Sequence, residues 1–355
     1  MKNMKKNYII TIIMLTTCFA LSACSKKTDS ESETPVTPSE AISEVIPEVS
    51  EETSEEAYPE PTDPVAVFTG DPEKVVVFEK NSYYEADKFF IYFGAGSEVR
   101  DDTIENLTKV MNDVEELFGM SYETDRVMEE DNWRHSYYGG SFEYVNPTGK
   151  KPDILILPDP EDDTVEWAFQ NTVMLYDSTL DPNGETYDTT YHELTHLLFA
   201  KQSGSLGQVM DEGVASYAQY ELAKQDNYPA WSTIQFLEYG GYHSTYDDSA
   251  IYSDPEGEFM ASTTADRDAR QRHYQYGIRF VTFLTEKYGP DIMSKICDTA
   301  NEKKLDNGNE QPYKMVEIIK EATSDDVFNE FAAWLPSGWN EWGRKYTEYM
   351  KQFGL

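Results

Sequence analysis

Cysteine is nearly absent from this sequence. Three occur, and Cys18 and Cys24 fall in the N-terminal segment. Cys297 stands alone in the rest, so no disulfide can staple the folded part and its stability has to come from a core. The setting IMSKICDTA places Cys297 on the apolar face of a helix, as a buried small hydrophobe rather than a nucleophile. Basic residues are missing altogether from 28–63, where twelve acidic side chains stand. Setting aside those acids and the five lysines of 1–27 leaves 64–355 carrying −30 of the total −37. A surface that acidic repels phosphates, which excludes nucleic-acid binding. It suits solubility first, and also basic substrates or divalent cations. Histidine is scarce, with five in the chain. There is no internal repeat and no EF-hand spacing, so although the acids of 239–270 could bind Ca²⁺, no motif assigns a calcium site.

What is present begins with an address. MKNMKK is basic, and the apolar run YIITIIMLTTCFA behind it is too short for a comfortable membrane span. Leu21-Ser22-Ala23-Cys24 follows. This order resembles a bacterial lipoprotein signal peptide with its lipobox. The resemblance implies cleavage after residue 23, acylation of Cys24, and a mature protein anchored to the outer face of the cell membrane. Residues 24–65 are rich in Ser, Glu, Thr and Pro and nearly free of aromatics. They cannot bury enough apolar area to offset chain entropy, so an extended acidic tether is expected there.

From 66 onward the pattern is that of one folded domain with two halves, 66–187 and 188–355. VVVF (75–78), FFIYF (89–93) and ILIL (154–157) read as short strands, and 164–177 contains another. Between them Ile104, Leu107, Val110, Met111, Val114, Leu117 and Phe118 recur at helical spacing, with Gly119 as the stop. Helices are expected over 189–201, 208–225, 273–288, 290–300, 313–322 and a Trp-rich tail near 325–352. The fold class is therefore α+β, with a strand-rich mixed sheet and a long helix first and a mainly helical half after about residue 188.

His192-Glu193-Leu194-Thr195-His196 is an HExxH pentapeptide and takes two of the five histidines. On a helix, positions i and i+4 share a face, so both imidazoles can reach one metal ion. A catalytic Zn²⁺ site takes such nitrogens and keeps a position for water. Glu193 points beside the pair and can accept a proton without being a ligand. Asp188 reads as the N-cap of this helix and Ser203-Gly204 as its end. A second helix, MDEGVASYAQYELAKQ, follows. Gly213 and Ala215 would let it approach the first closely, so that Glu212 completes a His₂Glu site. Asp211 is the alternative ligand, or a group that orients a ligand imidazole.

HELTH at 192–196, DEGVASY at 211–217, YQYGIRFVTFLTEKYG at 274–289 and FNEFAAWL at 328–335 together resemble the gluzincin metallopeptidases, specifically the peptidase MA-like group. The motifs cover about 188–289, and only a looser pattern extends over 83–178. The resemblance implies a zincin-like, thermolysin-like pair of active-site helices beneath a β-sheet. Its edge strand, within Trp167–Tyr176, would line the cleft and pair with extended substrate. It also implies zinc held by His192, His196 and Glu212, peptide or protein substrates, and catalysis by Glu193 as general base. The leading tyrosine of the family helix falls on Tyr274, the expected oxyanion donor, with His273 and Tyr276 as alternatives.

His135 and His243 lie in loop-like stretches and are expected to be surface residues. The segment 239–270, rich in Gly, Tyr, Ser and Asp, is expected to be a loop, either plain surface or a lid over the cleft. Two non-catalytic readings compete. One is a surface binding or sensor module that keeps the metal; the other is a structural envelope lipoprotein with an accidental HExxH. Cell-wall peptide amides are a further substrate class, ranked below proteins because nothing in the chain reads as a glycan-binding module.

Overall fold

The computed structural model describes residues 84–93, 97, 102–124, 151–160, 166–169, 171–184, 186–230, 249–263, 270–305 and 311–354. The signal segment with Cys24, the tether, the strand expected at 75–78, His135 and His243 lie outside them. The architecture is α+β, as the pattern predicts.

Short runs, largely apolar and buried on both faces in the centre, make five strands: β1 (Tyr84–Glu85), β2 (Phe90–Phe93), β3 (Asp153–Leu157), β4 (Trp167–Phe169) and β5 (Thr172–Tyr176). Their order in one sheet is β1-β2-β3-β5-β4. The central pairs β2–β3 and β3–β5 are parallel, and β1 and β4 close the two sides antiparallel. The pleat divides the side chains. Ile91, Phe93, Ile154, Ile156, Val173 and Leu175 join the main core with the helices. Phe90, Tyr92, Leu155, Met174 and Tyr176 form a second buried cluster. The single strand expected within 164–177 is two, β4 and β5, paired antiparallel with Phe169 opposite Thr172.

Helix α1 (Thr103–Phe118) buries the predicted stripe, and Gly119 ends it in the left-handed conformation, φ 64°. The helical half follows: α2 (Asp188–Ser203), α3 (Gln208–Gln225), α4 (Ser249–Ser253), α5 (Pro255–Thr263), α6 (Arg270–Tyr288), α7 (Ile292–Lys303), α8 (Gln311–Ala322) and α9 (Val327–Met350). The described part of 239–270 is not a loop. Residues 249–263 form α4 and α5, whose Ile251 and Phe259 are fully buried in the main core. Among the described residues, no helix is long and apolar enough to cross a membrane.

Gly213 serves a different contact from the one its small size suggests. It faces Gly277 of α6, not α2. A Cβ on Gly213 would meet Gly277 backbone atoms at 2.7 Å, and one on Gly277 would meet the Val209 carbonyl oxygen at 2.3 Å. The α3 and α6 backbones therefore touch, and this contact brings the start of α6 beside the HExxH helix. Backbone cannot yield as a flexible side chain can. Gly277→Ala is expected to destabilise the fold by about 1–3 kcal/mol or more, as overpacking does. Denaturant melts would register it, and an unchanged midpoint would refute the close contact.

Candidate metal centre

Helix α2 is buried nearly all round, because it lies between the sheet and α3. His192 and Glu193 keep 6% and 7% of their surface exposed. The i,i+4 geometry turns both imidazoles to one side, with His192 Nε2 and His196 Nε2 3.1 Å apart. Glu212, near the start of α3, brings Oε2 to 3.3 Å from His192 Nε2 and 3.5 Å from His196 Nε2. These three residues form a group able to hold one metal ion, their ligand atoms within 4.8 Å of one another. Ligands bound at about 2.0–2.1 Å around a tetrahedral ion stand about 3.3 Å apart, so the spacing fits Zn²⁺. Glu212 Oε2 is buried and accepts no hydrogen bond among the described residues, which fits an oxygen shaped for a cation.

The charges in this group bias one another. Burial raises the Glu212 carboxyl, but His196 and His192 outweigh it and hold it well below its ordinary value. Burial lowers His196, and Glu212 reverses that and raises it. Burial pushes Glu193 up to about 8; Glu212 and Glu166 add to the rise, while His192 and the backbone N–H of Ala168 oppose it. Ala168 belongs to β4, so the terminal strand of the sheet reaches the glutamate of HExxH directly.

Asp188 is not the N-cap. That position is Tyr187, and Asp188 is the first residue inside the helix, fully buried. Its Oδ2 accepts from Gln219 Nε2 at 3.1 Å. Gln219 Oε1 in turn lies 3.2 Å from His192 Nδ1. An amide oxygen can only accept, so His192 carries a proton on Nδ1, and its Nε2 is the nitrogen on the side of Glu212 and His196. The relay Asp188–Gln219–His192 escapes the motif, although Gln219 falls seven residues after Glu212 on one helix face and Asp188 four before His192. Such partners fix ring orientation and ligand basicity. Gln219→Leu is expected to weaken zinc binding about 10–100-fold. Competition with a chromogenic chelator measures this, and an unaltered affinity would remove Gln219 from the site.

Asp211 is neither ligand nor imidazole partner. It accepts from Ser205 Oγ at 2.6 Å and from the Leu206 N–H at 2.9 Å, which holds the turn entering α3. Burial raises its carboxyl to about 6. Of the residues expected at the start of α6, Tyr274 stacks beside His192, ring centres 6.2 Å apart and 25° from parallel. Tyr276 is fully buried; its hydroxyl donates to the Pro255 carbonyl at 2.7 Å and its ring packs on Phe259 and Phe331, which commits it to the core. His273 is buried on α6. Glu166, missed in the sequence, precedes β4; burial and Asp159 raise its carboxyl and His192 lowers it, so it belongs to the same electrostatic neighbourhood.

No family model matches the sequence, and no curated protein matches it. Solved structures do align with part of the chain, among them the following two. Native yeast LTA4 hydrolase is 14% identical over 72% of this chain and 38% of its own, with a TM-score of 0.36. The M1 zinc metallopeptidase from Deinococcus radiodurans is 11% identical over 72% of this chain and 51% of its own, with a TM-score of 0.32.

Proposed function

We propose that the chain is a zinc-dependent peptidase with Glu193 as its general base, exported and held at the cell membrane through Cys24. The observation that carries this reading is the His192–His196–Glu212 group with an unligated, buried glutamate beside it. Zinc, when bound by those three residues, supplies Lewis-acid chemistry: it acidifies water and polarises a peptide carbonyl.

The chain's own groups do the rest. Glu193 takes the proton of the attacking water and delivers it to the departing amine nitrogen. A buried carboxyl beside the metal ligands can serve both halves of that task, accepting the proton as a base and returning it as an acid. Ala168 steadies the carboxylate from β4. Substrate in extended form adds alongside β4, the terminal strand of the sheet. Tyr274, beside His192, donates its hydroxyl to the oxygen that becomes negative as the carbonyl carbon turns tetrahedral. Tyr274→Phe is accordingly expected to cut kcat by about 10²–10³-fold with zinc retained. Undiminished turnover would leave Tyr274 a packing residue.

The test of the whole reading is proteomic. Zinc-loaded protein is incubated with a denatured protein mixture, and new N-termini are profiled with and without chelator. Cleavage that disappears on chelation and returns with zinc supports the reading. A protein that binds one zinc per chain yet produces no new termini would sink it. Membrane anchoring is tested separately by fatty-acid labelling, which Cys24→Ser is expected to abolish.

A further inference from the structure

A lysine in the last turn of a helix ordinarily leaves its ammonium in water, where it complements the helix dipole. Lys201, in the last turn of α2, is fully buried. Its Nζ donates to Asn171 Oδ1 at 3.3 Å. Asn171 is itself buried in the turn between β4 and β5. Its Nδ2 donates to the Lys151 carbonyl at 2.9 Å, and its own carbonyl accepts the Asp153 N–H at 2.8 Å. Asp153, fully buried at the start of β3, opposes the lysine charge. Burial lowers the Lys201 ammonium to about 8, and Asp153 works against that shift.

Buried charge pairs are poor stabilisers, since well-packed apolar residues of the same volume often do as well or better. The geometry suggests a different use. Besides their apolar packing, α2 and the β4–β5 hairpin share polar contacts toward both ends: Ala168 N–H on Glu193 near the metal-binding group, and Lys201 on Asn171 at the far end. Two separated contacts fix both distance and angle, where one would leave a pivot.

We infer that Lys201 is a positioning residue: by gripping Asn171 it sets the register of β4 against the metal-binding helix, and so where a strand-added peptide meets Glu193. The consequence for catalysis rests on the peptidase reading; the placement of β4 does not.

The experiment uses the full zinc-loaded chain and two variants. Lys201→Met combined with Asp153→Asn removes both charges, so no carboxylate is stranded in the core. Asn171→Ala removes the Oδ1 acceptor, together with the Nδ2 donor to the Lys151 carbonyl, and keeps Lys201 and Asp153. Amide exchange at 166–169, zinc content, and kinetics on denatured casein are measured for each. Both variants are expected to bind one zinc, to exchange amides of β4 about tenfold faster, and to lower kcat about tenfold with KM changed far less, as for a bound peptide held out of line with Glu193. A merely structural role would lower stability without splitting KM from kcat. Unchanged exchange at 166–169 in either folded variant overturns the inference. If wild-type protein leaves casein intact, the peptidase reading fails on that arm, while the exchange arm still decides whether Lys201 places β4.

Discussion

Glu193→Gln is expected to leave zinc bound at one per chain and to cut hydrolysis by about 10²–10⁴-fold. The glutamine has the same shape, and its amide oxygen still accepts the Ala168 N–H that now reaches the carboxyl group. It lacks a site basic enough to take a proton from water. Glu193 is outside the His192–His196–Glu212 group, so metal content should not follow activity. Stability gives an independent signature in the metal-free protein. There Glu193 is held at about 8, against 4.5 for an ordinary glutamate. Between those values the native state keeps a proton that the unfolded chain has lost. Wild-type stability therefore falls as pH rises from about 4.5 to about 8, and is not recovered above that. The glutamine variant lacks this slope, so its advantage grows across the window and then levels off. Elemental analysis, initial rates and denaturant melts at several pH values check the three parts. A variant with wild-type turnover would discard Glu193 as the base.

The parts of this molecule that could be read in one dimension are those whose signal is local. Helix α1 announces itself through a single apolar stripe and a glycine that can take φ 64°. HExxH carries its geometry in its spacing. The β4–β5 hairpin was less legible, because the sequence between Phe169 and Thr172 holds no glycine or proline, the residues that usually mark a turn. Residues 249–263 look like loop by composition, yet they are helical because Ile251 and Phe259 insert into the core. Periodicity cannot see that tertiary gain. Asp188 shows the same limit at the site. A short acid before an apolar run reads as a cap, while its actual partner, Gln219, comes from the next helix. Small residues on α3 did predict a close approach, but Gly213 meets Gly277 of α6, and size alone does not name the neighbour.

The sharpest separation of roles is between two adjacent acids. Glu212→Ala is expected to lower zinc affinity by on the order of 10³-fold or more, since even loss of a group behind a ligand costs about 10–100-fold. Two imidazoles remain, and they make an incomplete site with no anionic oxygen. Removing Glu212 also takes away what holds His196 up, so the ring loses its pull toward the charged form. Asp211→Ala, one residue earlier, should keep zinc. It removes the carboxylate that the Leu206 N–H and the Ser205 hydroxyl donate to at the entry to α3, at a cost of about 1–2 kcal/mol. Helical geometry explains why neighbours in sequence part company: successive side chains on a helix diverge by about 100°. One acid therefore faces the histidines and the other the preceding turn. Zinc titration and thermal melts of the two variants should give opposite patterns, metal lost in one and stability lost in the other. If Asp211→Ala lost the metal and Glu212→Ala kept it, the ligand set would have to be rebuilt around Asp211, with α3 turned on its axis relative to α2.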